Sequence, residues 1–369
     1  MKKINLSILT AALLTSNLMA DSNTLEDAFK NGKASGEISA YTVSNDNGGT
    51  TKDSGYSLGH INLGYETDTL SGFKAAVGFM SSTELDEKEN GDYEDGRDVP
   101  KALLNIANVG YVNDLFSLTL GRQEIDLEWI SDYHEAAVGV ITAIPNTTLI
   151  VGYTDKVSAS ANDEALYKFS DIGVNGDGAY VIDATYTIND NLALGAYYMD
   201  AKDTFSAVGG KIDFNINGFG AIAKYTTTDE DVAGTVDGNI AAVDLSYAND
   251  TFGVNAGYIT TDKDGGIGTL EALGENINPL DSGNQVYGVD AQTYYIGANY
   301  SVAGFDFGAI YGSTDYKNGT VDETEKEFNF TIDKELYKNF TVSLIFADID
   351  AHVANDDSTY YSAQLVYSF

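Results

Sequence analysis

The sequence has no cysteine, and only three prolines, three histidines and one tryptophan, among 369 residues. Without cysteine there is no disulfide, no thiolate nucleophile and no Cys-ligated metal. Basic side chains are also scarce: 20 Lys and Arg stand against 56 Asp and Glu, a net charge of −36. Phosphate neutralisation needs clustered Lys and Arg, so a nucleic-acid partner is excluded. Long apolar runs are missing too. After residue 20 no stretch approaches the roughly 20 consecutive apolar residues that a membrane helix needs, which excludes a helical membrane protein. What is plentiful is Gly (38), Tyr (25) and Phe (16). An acidic disordered chain would be poor in aromatics, so this composition favours β-structure.

Lys2 and Lys3 precede a short apolar stretch from Ile4 to Leu14, and small Ala20 closes a plausible cleavage site. This is the pattern of a secretory signal peptide over residues 1–20. Residues 21–33 then form a short polar segment, expected in the periplasm, with one amphipathic piece from Leu25 to Phe29. Residues 34–369 form the third region, a barrel domain by the following signals.

From residue 34 onward, segments of about ten residues alternate apolar and polar at period two, the signature of strands. Phe340, Val342, Leu344 and Phe346 share one face, as do Phe73, Ala75, Val77 and Phe79. Eighteen such segments are legible, from 34–43 to 359–369. Short turns rich in Asn and Asp, such as Asn113-Asp114, Asn189-Asp190 and Asn249-Asp250, alternate with longer acidic loops. Asn and Asp tolerate the backbone conformations of tight hairpins. The longer loops are predicted at 44–55, 82–101, 124–133, 156–177, 227–237, 262–290, 315–324 and 351–358. Tight turns at one end and long loops at the other indicate an all-β fold. It is a transmembrane antiparallel β-barrel of about 18 strands, with periplasmic turns and extracellular loops. Ten tilted residues span a bilayer, whereas strands of soluble sheets average five or six. Aromatics near strand ends, including Tyr65, Tyr111, Tyr197, Tyr198, Tyr247 and Tyr300, suit interfacial girdles.

Three motifs carry a family resemblance. The chain ends with Leu365, Tyr367 and Phe369 on an alternating last strand, like the assembly signal of outer-membrane barrels. Residues 24–33, leading into Gly36, look like the mature start of the major porins of Campylobacter-type bacteria. Leu118-Thr119-Leu120-Gly121-Arg122-Gln123 resembles a strand end of OprD-like porins, as does His134-Glu135-Ala136 followed by Ile144-Pro145-Asn146. The resemblance implies an 18-stranded outer-membrane porin that passes small hydrophilic solutes by diffusion. It further implies contact with the barrel assembly machinery, with lipid and with lipopolysaccharide, and it favours a homotrimer.

Strand parity turns Glu37, Lys74, Asp183, Lys211, Asp213, Lys224, Asp244, Asp306, Glu327 and Asp333 toward the lumen. Acids outnumber bases, so a mild cation preference is expected. The family is known for a basic ladder that guides carboxylates, and this chain departs from it. The third long loop should hold the constriction. Leu127, Trp129 and Ile130 would anchor it to the inner wall, presenting Glu124, Asp126, Glu128 and Asp132, with Arg122 opposing them. The alternative leaves that loop outside, with Trp129 at the membrane interface. The loop at 262–290 offers Ile267, Leu270, Leu273 and Ile277 for a short packed helix.

No Gly-x-Ser-x-Gly and no phosphate-binding Gly-x-x-x-x-Gly-Lys run is present. His134 lies near Ser131 and Asp132, but sequence proximity is not a triad. Enzymatic activity, a cofactor and a metal are therefore not expected. The acidic glycine runs at 262–266 and 175–178 lack the twelfth-position Glu of an EF-hand. The alternative to a diffusion channel is a structural or adhesive surface barrel with a blocked lumen.

Overall fold

The computed structural model describes residues 22–274, 277–352 and 357–369. The expected signal peptide lies outside the described residues.

Among the described residues a six-residue helix, α1 (Leu25–Lys30), precedes the sheet, with the Thr24 hydroxyl capping it through the Asp27 N–H. Eighteen long strands follow: β1 (Lys33–Asn47), β2 (Ser54–Glu66), β3 (Phe73–Glu87), β4 (Leu103–Val112), β5 (Phe116–Leu127) and β6 (Ile130–Ile141). Next come β7 (Thr147–Ser158), β8 (Ala179–Asn189), β9 (Leu192–Ala201), β10 (Phe205–Ile216), β11 (Phe219–Glu230) and β12 (Asn239–Ala248). The last six are β13 (Phe252–Thr261), β14 (Val289–Val302), β15 (Phe305–Asn318), β16 (Val321–Tyr337), β17 (Phe340–Asp350) and β18 (Ser358–Ser368). A two-residue bridge at Ser170–Asp171 lies outside this set and pairs with β7.

Each strand pairs antiparallel with its sequence neighbour, and β1 pairs with β18 in the register Ala40↔Leu365. The sheet is thus a closed barrel with no free edge. Closure is what a bilayer demands, because lipid offers no partner to an unpaired N–H or C=O. Phe369 completes the seam: its N–H and C=O bond Gly36 in both directions. A Cβ on Gly36 would meet the Phe369 ring at 2.5 Å, so the glycine makes room for the terminal aromatic.

The period-two pattern is realised directly. Val77, Phe79, Ile182, Leu245 and Ile296 point out and are exposed, while their neighbours face inward. An apolar outer surface on a closed sheet is a lipid-facing surface. At the tight-turn end, outward rings contact one another in series at tilted angles. Phe73 meets Tyr111 at 4.9 Å and Tyr111 meets Phe116 at 5.6 Å; Phe219, Tyr247 and Phe252 repeat the arrangement. At the loop end, Tyr153 pairs with Tyr180 and Tyr258 with Tyr294. Tyr197 corrects the predicted girdle. It is buried inside the barrel, because its strand phase turns it to the lumen.

The tight turns follow from asparagine chemistry. The Asn113 Oδ1 accepts the N–H groups of Leu115 and Phe116, and the Asn249 Oδ1 those of Thr251 and Phe252. Asn146, Asn217 and Asn339 take positive φ at three others. Two predicted long loops are corrected. Residues 315–324 are strand except for a two-residue turn at 319–320, and residues 124–133 are a hairpin turning at 128–129. In both, the ladder satisfies backbone groups that a loop would leave to water.

Candidate pore and its constriction

Among the described residues, three segments fold from the loop end into the barrel. The first is the β5–β6 hairpin. Leu127 and Ile130 are paired across its two-residue turn, so the tip is rigid. Trp129, 1% exposed, donates its Nε1–H to Tyr197 Oη at 3.1 Å and to Thr226 Oγ1 at 3.2 Å, on β9 and β11. Beside it Glu128 forms ion pairs with Lys224 and, at 3.7 Å, with Lys211. The hairpin tip is therefore moored to the inner wall several strands away.

The second is the segment between β13 and β14. It contains a short 3-10 helix (Leu270–Leu273). Its Ile267, Leu270, Leu273, Ile277, Leu280 and Val286 are buried with Trp129 and with the wall residues Ile240, Ile259 and Ile310. The Glu327 carboxylate on β16 clamps it, accepting the Ser282 N–H at 2.9 Å and the Gly283 N–H at 2.7 Å. Glu230 holds its start through the Thr269 N–H and hydroxyl. Together these segments fill one side of the lumen with an apolar plug.

The third, between β7 and β8, crosses to the seam of the barrel. The Asn162 amide donates to Glu37 on β1, and its Oδ1 accepts from Gln364 Nε2 on β18 at 2.7 Å. Ala165 packs against Tyr41, Leu58 and Tyr93, and Leu166 against Met80 and Leu103. In this segment burial, with Asp163 adjacent, raises the Glu164 carboxyl to about 7. No sequence signal marked this strap, since it is polar and lacks periodicity.

A cavity of about 390 Å3 lies between the hairpin, the strap and strands β1 to β3. Glu37, Glu124, Asp126 and Asp132 line it with His60, Asn62, Tyr133 and Asn162, and no lining residue is Lys or Arg. The predicted constriction set thus separates. Glu124, Asp126 and Asp132 reach the opening. Glu128 and Trp129 do not, because they are spent on the far wall. Arg122 does not oppose the acids across the opening either. Its register partner is Glu135, which it meets at 2.6 Å, and it also donates to the Leu104 carbonyl and lies on the Phe169 ring. Gly121, with φ +114 and no room for a Cβ beside the Ala107 carbonyl, sets the local turn of the chain before it.

Of the other lumen charges, Lys74 pairs with Glu66, Asp244 accepts from Tyr295 and Asn255, and Asp333 from Ser343. Asp306 accepts from Ser301. Asp183, Lys211, Asp213 and Lys224 occupy the inward positions of β8, β10 and β11. Glu327 is buried as a clamp rather than presented to water.

His60 and His134 are structural in their contacts. His60 Nδ1 meets Ser82 Oγ at 2.7 Å. His134 spends Nδ1 on Thr154 and Nε2 on the Ser131 carbonyl, while the Ser131 hydroxyl donates to Asp132. No nucleophile–base pair results. Among the described residues no group of three or more His, Asp or Glu side chains is placed to hold a metal ion. Asp262 turns its Oδ1 onto the Asp264 and Gly265 N–H groups, which holds its carboxyl below the usual range.

No protein-family model matches the chain, and no curated protein matches it significantly. Solved structures do. OpdO of Pseudomonas aeruginosa superposes with a TM-score of 0.78 at 16% identity, covering 93% of this chain and 98% of that one. OccAB4 of Acinetobacter baumannii gives 0.75 at 15% identity, covering 92% and 98%. OpdK of Pseudomonas aeruginosa, solved with vanillate, gives 0.72 at 14% identity, covering 91% and 98%. The chain shares their fold over nearly its whole length.

Proposed function

We propose that this protein is an outer-membrane porin of the OprD-like kind. It passes small hydrophilic solutes and ions by passive diffusion, with a mild preference for cations. The observation that carries the reading is the acidic opening left beside an apolar plug. Four carboxylates face it and none of its lining residues is basic. Rings of acidic side chains raise the local cation concentration, over a screening length of about 8 Å at physiological salt. Vanillate, bound in the OpdK structure, is a carboxylate. Here the same kind of barrel presents acids at its opening, which disfavours anions.

The setting follows from the same reading. Residues 1–20 act as an export signal, the outward belt contacts lipid and lipopolysaccharide, and Leu365, Tyr367 and Phe369 address the chain to the barrel assembly machinery. A homotrimer is the assembly this reading favours.

Single-channel recording in planar bilayers tests it. Stepwise conductance is expected, with a reversal potential of cation-preferring sign in a KCl gradient. Combined Glu124→Gln, Asp126→Asn and Asp132→Asn should move that potential toward zero, whereas Glu128→Gln should leave it in place. A folded barrel with no conductance would remove the porin reading. An unmoved reversal potential in the triple variant would remove only the role of these acids. The second reading, a structural or adhesive barrel, is favoured by how much of the lumen the inward segments fill. Loss of solute uptake in a deletion strain speaks for the channel, and unchanged uptake for the adhesin.

A further inference from the structure

Helix α1 is anchored from one side only. Ala28 is buried, and its carbonyl accepts the Asp68 N–H from the β2–β3 turn at 2.9 Å. The Ser22 N–H donates to the Thr69 carbonyl, and the Ser22 hydroxyl to Asp68. The Tyr65 hydroxyl donates to the Phe29 carbonyl. Tyr65 lies on the outward face of β2, two residues from the exposed Leu63, so the helix sits at the outer rim of the tight-turn end and not beneath the lumen. Leu25 and Phe29, one turn apart, flank Ala28 on the same apolar stripe of α1 but stay 65% and 55% exposed. Lys30 and Lys33 are exposed next to them.

The geometry points to α1 as an interfacial lipid anchor, with Leu25 and Phe29 inserted among the acyl chains of the periplasm-facing leaflet. Lys30 and Lys33 then lie at anionic phospholipid headgroups. Two observations argue for lipid as the occupant. The apolar pair continues the outward belt formed by Leu63, Tyr65 and Phe73. Two side chains are also far below the area of about 800 Å2 per partner that a stable protein interface needs. Short amphipathic helices with this division of faces lie in the plane of a bilayer surface. The inference rests on the barrel being membrane-embedded but not on its conducting ions.

The absence of cysteine makes the test direct. Leu25→Cys, Phe29→Cys and Glu26→Cys, each labelled with bimane, are folded into phosphatidylglycerol vesicles with brominated acyl chains. Labels at 25 and 29 should be quenched several-fold more than the label at 26, and aqueous iodide should show the reverse order. Equal iodide access at 26 and 29, in barrels that keep their folded gel mobility, would overturn the proposal. So would pyrene excimers between labels at 29 on two barrels, which would make a second copy the occupant. Conductance recorded on the same preparations is independent. A silent channel with strong quenching would remove the porin reading and leave the anchor.

Discussion

Trp129 is the single tryptophan of the chain, and it secures the constriction hairpin by packing and by two hydrogen bonds. Trp129→Ala should destabilise the docked hairpin by about 3–5 kcal/mol, the usual cost of truncating a large buried aromatic. Trp129→Phe keeps most of the packing and should cost less, since each lost bond is worth about 1 kcal/mol. Conductance that rises in the order wild type, Phe, Ala would check this, and conductance unchanged in the Ala variant would show that the tip does not bound the passage. Sequence alone singled out Trp129, Leu127 and Ile130 as anchors, because apolar residues between carboxylates need a dry partner. It could not separate Glu128 from Asp126. Asp126 sits in the strand and Glu128 in the turn at its tip, and Lys211 and Lys224, which claim Glu128, come from strands more than 80 residues on.

At the scale of elements, the strands extend into what the sequence marks as loops. β16 runs 17 residues, well beyond the 9–11 that cross a bilayer. Acidic tips still alternate in their pairing, so a solvated ladder looks like loop composition. The strap between β7 and β8 is the element most open to titration. Glu164 moves from an ordinary 4.5 to about 7 within the docked strap, with burial the largest cause and Asp163 next, opposed by Arg97 and Tyr167. The docked strap therefore holds a proton that a released strap gives up between those values. Docking is strongest at or below pH 4.5 and weakens as pH rises to 7. Conductance in bilayers should accordingly be lower at pH 5 than at pH 7.5. Glu164→Gln should flatten the difference, and a pH response that survives this change would place its origin elsewhere.

The whole molecule depends on one seam. β1 and β18 are far apart in sequence, and closure is completed by the mutual hydrogen bonds of Gly36 and Phe369. The ring of Phe369 also stacks beside Tyr367 at 5.9 Å. Phe369→Ser and Gly36→Val should both slow barrel formation, the first by removing the ring and the second by occupying its place. Time courses of heat-modifiable gel mobility after dilution into vesicles would measure this. Rates equal to wild type in both variants would show that closure does not depend on this aromatic.

The barrel is written in local sequence. Alternation, turn chemistry and strand length are properties of neighbouring residues, and the demand that lipid leave no backbone group unpaired turns them into one closed sheet. The opening is set by long-range packing. Its bounds are contacts such as Trp129 with Thr226, 97 residues apart, and Asn162 with Gln364, 202 apart. Such pairings carry no periodicity, and which carboxylates meet water and which are neutralised is settled only when three segments compete for space inside a single ring of strands.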